Sequence, residues 1–406
     1  MDAAADRGQP GRKPSVPPAV FPSATAAGEE VNRDICREAL LTSGLLRAPW
    51  LLRAFDAVER EAFVPQTFWL PVQDEDGLWT FVDRSTHPTA WQQAVWNPHQ
   101  SVVTQLDDGG TPPGPSAGTF TSSVSALDIV MRKLAALDLE SGHTVLEIGT
   151  GSGYHTALLS ERVGGQRVTT VEIDAYLAAT AATTLKSQGY EPVVIAGDGL
   201  LGAPGQAPFD RVISTAAVRR IPRAWVEQTH DGGKILTPFG TAYSNAGLLD
   251  LTLHDNLAQG RFIGSAAYMW VRADRPSVDL HVPQESRTRR SPVDPNQVLS
   301  AGHLQDFAIG LQVPDVSYSH RGEGADRRVQ FVDEAGTSAT IVRYADWWEG
   351  DAVTSWGPRD LWAEVTTAFS WYEHHDSPHI TRFGVTSDSH HEYAWLDDPS
   401  RIVGDG

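Results

Sequence analysis

Apolar residues in the stretch REALLTSGLLRAPWLLRAFDAVEREAFVP recur at helical spacing in two blocks, broken by Gly44 and Pro49 and ending at Pro65, which predicts two short helices. Residues 1–30 before them are Ala, Pro, Gly and charge with no hydrophobic period, and are expected to form a disordered tail because they bury too little to offset the entropy of ordering. Residues 66–118 mix Trp, Pro, Asp and Gly and read as loops with short strands, placed to cover a site. From Ser125 to Leu139 the pattern is amphipathic at a helical period and closes at Ser141-Gly142. The period then alternates. Strand HTVLEIG, a helix from about Ser152, strand RVTTVEI, a helix Ala175 to Leu185, strands EPVVIAG and FDRVIST, a helix near Ala224 to Gln228 and strand GKILTPF follow in turn. Two further strands, GLLDLTLH and RFIGSAAYMWV, are joined by the turn DNLAQG. Strands alternating with helices predict an α/β fold with a mostly parallel, doubly wound, Rossmann-like sheet, whose ligand lies outside the carboxyl ends of the strands. The expected units are a tail over 1–30, this domain over 31–271, a polar, Pro-rich linker over 272–300, and a small α+β domain over 301–406.

Composition narrows the partners. The 406 residues fit two folded units with extensions, and the net charge of −19 argues against a nucleic acid partner, which needs clustered Lys and Arg. The single cysteine, Cys36, excludes an intramolecular disulfide framework and a CxxC metal site. The opening MDAAADRGQPGRKPS has no apolar core of a signal peptide, and no apolar run reaches the roughly 18 residues of a membrane span, so a cytoplasmic location without a membrane partner is expected.

The chemistry centres on VLEIGTGSGYHT, residues 145–156, where Gly149, Gly151 and Gly153 follow a strand and allow close approach of a ligand to a helix N-terminus. The spacing is GxGxG, not the GxGxxG of dinucleotide sites. Glu147 ends the strand just before the loop. Like charges about 4 Å apart cost on the order of 4 kcal/mol at an intermediate dielectric, so Glu147 disfavours a pyrophosphate and favours a cofactor bearing an ammonium and a sulfonium, S-adenosylmethionine. Glu172, at the end of the next strand, is expected to accept both ribose hydroxyls, and Asp198, between Gly197 and Gly199, the adenine amino group. The candidate cofactor set is Glu147, Gly149, Thr150, Gly151, Ser152, Gly153, Glu172, Ile173, Asp198 and Gly199.

VLEIGTGSGYHTALLSERVG, VEID, AGDGLLGAPGQAPFDRVISTAA and GGKILTPFG, together with EALLTSGLL and EREAFVP upstream, resemble the protein L-isoaspartate O-methyltransferases over about residues 31–271. The resemblance implies a class I methyltransferase fold, S-adenosylmethionine as donor and a peptide carboxylate as acceptor. The family carries a TxSxP motif whose hydroxyls hold that carboxylate. Its register falls here on residues 121–125, giving Thr121, Ser123 and Ser125 as candidate catalytic residues, with Ser125 in place of the proline. The departure, the insert over 91–118 and the C-terminal region are similar to the subfamily that methylates an aspartate of a constrained ribosomal precursor peptide such as a lanthipeptide, lasso peptide or graspetide. There the ester cyclises to aspartimide, which persists or opens to isoaspartate.

Such an acceptor needs no general base, because an Asp carboxylate, with an ordinary pKa of about 3.9, is ionised at neutral pH. Alignment does the work, and hydroxyls align the nucleophile without neutralising it. Ser125 also reads as a helix N-cap. His155 reads as a packing residue beside the cofactor. Glu373-His374-His375 and Ser389-His390-His391-Glu392 have ligand-type side chains but no HExxH spacing, and no metal is expected. Trp347, Trp348, Trp356, Trp362, Trp371 and Trp395 read as the core of the C-terminal domain, with a peptide-binding surface as the alternative. General isoaspartate repair and a noncatalytic binding protein on the same fold remain the competing functions.

Overall fold

The structure is a computed structural model and describes residues 31–276, 280–299, 302–388 and 391–404. The expected tail over 1–30, together with Ser389 and His390, lies outside the described residues.

Helices α1 (Arg33–Thr42) and α2 (Pro49–Ala57) form where the two apolar blocks predicted them. The first is capped by the Asn32 side chain, which accepts from Ile35 N, and the second starts at Pro49, suited to a first helical position because it has no N–H to leave unpaired. The segment after Pro65 is more ordered than its composition suggests. Strands β1 (Thr67–Gln73), β2 (Trp79–Asp83), β3 (Val102–Leu106) and β4 (Phe120–Val124) make an antiparallel sheet in the order β2-β1-β3-β4, with α3 (Pro88–Trp96) between β2 and β3. Aromatic packing holds it: Trp79 lies 4.5 Å from Phe120, and Trp91 and Trp96 are wholly buried in one apolar core with Leu40 of α1 and Phe55 of α2.

Helix α4 (Leu127–Ala136) leads into the main sheet: β5 (Val145–Ile148), α5 (Tyr154–Val163), β6 (Val168–Glu172), α6 (Ala175–Ser187), β7 (Val193–Ala196), β8 (Phe209–Ser214), α7 (Arg223–Glu227), β9 (Thr229–Gly240), β10 (Asn245–His254) and β11 (Leu257–Ser265). β7, β6, β5, β8 and β9 are parallel in that order, so the chain reverses its direction of travel across the sheet between β5 and β8, where such folds bind their ligands. β5 and β6 are buried along their whole length, so Glu147 in the otherwise apolar β5 and Thr169 and Thr170 between the valines of β6 stand out as polar groups that need partners.

The expected boundary at residue 301 does not divide the molecule. β12 (Ser286–Arg289), inside the expected linker, joins β13 (Val316–Arg321), β14 (Arg328–Asp333), β15 (Ala339–Arg343) and β16 (Val353–Trp356) in a five-stranded antiparallel sheet. Short α8 (Pro295–Leu299) precedes α9 (His303–Gly310), and α10 (Leu361–His374) packs Trp362, Val365 and Phe369 on the small sheet. The last two strands, β17 (Phe383–Ser387) and β18 (Glu392–Leu396), instead return to the main sheet beside β11, giving it nine strands. Apolar packing explains the return. Phe307 of α9 sits 4.7 Å from Phe262 of β11 and 6.0 Å from Phe383 of β17, and each such ring taken out of water contributes roughly 1.5–3 kcal/mol. Trp362 and Trp395 are core residues, whereas Trp348 is exposed. No helix among the described residues is long and apolar enough to cross a membrane.

Candidate active site

The glycine loop leaves β5 with Gly149, Gly151 and Gly153 all at positive φ (89°, 53° and 89°), which L side chains rarely adopt. A Cβ on Gly149 would come 2.4 Å from Thr215 Oγ1, and that hydroxyl, just past β8, donates to Gly149 O at 2.6 Å. Loop and strand end are thus locked together across the reversal point. Gly153 caps α5 without a side-chain partner, so the first N–H groups of α5 face the crevice.

Glu147 does not face that crevice. It is wholly buried, and its Oε1 takes the Nδ1 proton of His155 at 2.6 Å while its Oε2 accepts from Thr170 Oγ1 at 2.7 Å and from Thr156 Oγ1. The expectation that it meets the charged end of the cofactor is therefore corrected: with no exposed surface, Glu147 points into the protein beneath the loop, where its bonded partners lie on α5 and β6. Thr150 belongs to the same network, its hydroxyl 2.7 Å from that of Thr170, and offers the crevice only its backbone. Lys133, also wholly buried, donates to Ser214 O; burial pulls its pKa down to about 7, against the opposing pull of Glu147.

Glu172 lies where the sequence placed it. Its Oε2 accepts from Gly151 N at 2.9 Å and its Oε1 from Asp174 N at 3.1 Å, each oxygen keeping a further lone pair. Burial raises its pKa, and those two N–H groups oppose the rise. Ile173 beside it is exposed, and Ser152 is half-buried on the loop. Asp198 is exposed and accepts from Leu200 N at 2.9 Å, while a Cβ on Gly199 would come 2.5 Å from Ile148 Cγ2, so only glycine fits there.

The small N-terminal sheet closes the other side. A Cβ on Gly151 would lie 3.7 Å from Ser123 O and 3.9 Å from Ser122 Oγ, which puts β4 against the glycine loop. Gln105 of β3 donates to Asp174 at 3.0 Å, and Thr121 Oγ1 donates to Gln105 Oε1 at 2.9 Å while accepting from Asp108 N at 3.0 Å. With its hydroxyl committed to this scaffold, Thr121 is a structural residue, which corrects its place among the candidate catalytic residues. Ser125 is not the helix cap; Ala126 holds that position, and Ser125 lends its carbonyl to Arg60 at 2.9 Å. His374 and His375 spend Nδ1 on the carbonyls of Ser370 and Trp371 in their own helix.

The family model for protein-L-isoaspartate(D-aspartate) O-methyltransferase matches residues 82–257. A protein-L-isoaspartate O-methyltransferase from Methanococcus aeolicus is 40% identical over 154 residues, which are 37% of this chain and 71% of that relative. The chain belongs to the protein-L-isoaspartate O-methyltransferase family. The relative from Methanopyrus kandleri is 35% identical over 174 residues, 42% of this chain and 77% of its own length. A solved protein-L-isoaspartate O-methyltransferase superposes with a TM-score of 0.51 at 16% identity, covering 90% of this chain and all of that one, which establishes the class I methyltransferase fold. As a member of the family the chain is a carboxyl methyltransferase that uses S-adenosylmethionine. Its residues fit that cofactor. Glu172 has lone pairs to spare, the glycines leave backbone open, and His155 Nε2, on the first turn of α5, is buried with no partner.

Sequence reasoning missed His155 as the partner of Glu147, and Lys133, Thr215, Gln105 and Asp174 as the frame of the site. Thr170 was the available signal, since a hydroxyl in the middle of a buried strand needs a polar neighbour, and Thr170 is the register partner of Glu147.

Proposed function

We propose that the chain methylates the carboxylate of an L-isoaspartyl residue in a peptide or protein. One observation carries this reading: β4 lies against Gly151, so the serines at its end and just beyond it border the same crevice as the cofactor loop. Helix α4 begins at Leu127, and proline is favoured at a first helical position. The proline of the TxSxP motif then corresponds to Leu127, two residues beyond the register expected from sequence, and the acceptor hydroxyls become Ser123 and Ser125. When bound, the cofactor supplies an electrophilic methyl group on a sulfonium. The chain's own part is to hold the ionised carboxylate in line through these hydroxyls, with no base required. Glu172 holds the ribose, and Ile173, Asp198 and Gly199 flank the adenine.

A second reading, a modified ribosomal precursor peptide as acceptor with aspartimide as the first product, is favoured by one feature. Two acids from the C-terminal extension, beyond the family match, grip the loop after β8: Glu334 pairs with Arg219, and Glu392 accepts from Ile221 N at 2.8 Å. Mass analysis separates the readings. Methyl gain on an isoaspartyl model peptide supports the first; gain on a constrained aspartyl peptide alone, followed by loss of methanol, replaces it with the second. For the cofactor, Glu172→Ala is expected to weaken S-adenosylmethionine binding about tenfold or more in calorimetry, and unchanged affinity removes Glu172 from the ribose.

A further inference from the structure

Arginine gathers at one place in this acidic chain. Arg219 and Arg220 follow β8, and Arg272 and Arg275 follow β11. Asp108 pairs with both Arg272 and Arg275, at 2.9 and 2.6 Å, while Arg219 is held differently. Its N–H donates to Asp274 at 2.9 Å, and Ala217 exchanges backbone bonds with Met269 and Val271, which brings Trp270 under the guanidinium at 5.2 Å. Nη1 pairs with Glu334, whose side chain is 45% exposed, whereas that of Arg219 is 16% exposed. Nε is buried and bonds nothing.

An unpaired buried N–H on a cation is costly, and burial lowers the pKa of Arg219. Nε and one Nη together form a fork that matches a carboxylate. The position suits a peptide ligand. Thr215, four residues back, bonds the cofactor loop, and Arg272, beside the Asp274 anchor, acts on both Glu172 and Asp174. The carboxylate to be methylated must stay nucleophilic, and a bidentate arginine would blunt it. The partner of Arg219 is therefore a second carboxylate.

We propose that Arg219 is a specificity residue that binds an acidic side chain flanking the modified residue of the acceptor peptide, with Glu334 on Nη1 as the resident carboxylate that competes with the peptide for the guanidinium charge. The proposal rests on the reading of the site as a peptide carboxyl methyltransferase. Its test measures binding, separately from turnover. Two fluorescent isoaspartyl peptides, identical except for Glu or Gln on both sides of the isoaspartate, are titrated by anisotropy with the full chain saturated in S-adenosylhomocysteine. The Glu peptide is expected to bind about tenfold tighter. Arg219→Gln abolishes that ratio, Arg219→Lys retains part of it, and Glu334→Gln tightens the Glu peptide severalfold by removing its competitor. Equal affinities for the wild type, a preference that survives Arg219→Gln, or a Glu334→Gln variant that weakens the Glu peptide each overturn it. Glu334 is exposed, so its variant answers even where an Arg219 variant fails to fold. Methyl transfer to the same peptides reports on the function itself: a Glu preference without transfer removes the isoaspartyl reading and leaves Arg219 as an anchor for acidic peptides.

Discussion

Glu147 and Asp306 are carboxylates set among apolar side chains, and the two regions that hold them treat them in opposite ways. Beneath the glycine loop, Glu147 receives hydrogen bonds from His155, Thr156 and Thr170. In the C-terminal extension, Asp306 of α9 has the Tyr318 hydroxyl at 3.3 Å, amid Tyr243 and Tyr344, and desolvation pushes its pKa up to about 7. Glu392 of β18 is likewise pushed up to about 7 by burial, with the Ile221 N–H opposing. Burial alone does not decide what a carboxylate does; the supply of donors does. Beneath the loop three donors converge on one buried carboxyl group, whereas in the extension Asp306 and Glu392 have one or two donors each and titrate close to neutrality.

The largest effect should come from breaking the well-partnered case. Glu147→Ala strands His155, Thr156 and Thr170 and leaves Lys133 without its counter-charge, and is expected to cost about 3–5 kcal/mol in urea unfolding. A loss below about 1 kcal/mol would mean the network is not structural.

Next is the pH response of the extension. In the unfolded chain Asp306 titrates near 3.8 and in the folded one near 7, so its contribution is complete below about pH 4 and is lost as pH rises through 7. Asp306→Asn should match the wild type near pH 4 and exceed it by on the order of 2–4 kcal/mol at pH 8, read from hydrogen exchange of α9. A pH-independent difference between the two proteins would contradict the contrast.

The smallest effect belongs to Glu392, whose ordinary value of 4.5 rises less. Glu392→Gln keeps an acceptor for Ile221 N while removing the charge. It should stabilise by about 1–2 kcal/mol at pH 8.5 and change little at pH 4.5, by thermal melting. Destabilisation at both pH values would show that the charge itself holds the loop.

Much of this was legible in the sequence. The glycine loop, the alternating strands and Glu172 follow from period and spacing, because those features are local. Glu147 was read correctly as unusual and wrongly as facing the ligand. A strand buried on both faces gives no alternation from which to tell the crevice from the interior, and its partners lie on α5 and β6. The hydroxyl motif was placed by counting residues back from Gly142, and a count does not show where α4 starts; the helix begins at Leu127 with Ala126 as its cap, although Ser125 is the better cap by type. The extension was misjudged as separate because strands pair with distant partners, and nothing local in FGVTS indicates that it lies beside β11, more than a hundred residues earlier.

The return of β17 has a consequence for shortening the chain. Ala258, Gln259, Gly260 and Arg261 of β11 pair with Ser387, Thr386, Val385 and Gly384. Ending the polypeptide after the catalytic strands would strip these partners away and open a row of unsatisfied amides on an edge strand, a template for another molecule's strand. Phe262 and its apolar neighbours would be uncovered beside it. The extension thus also acts as a seal against self-association, and a trimmed catalytic half would tend to aggregate.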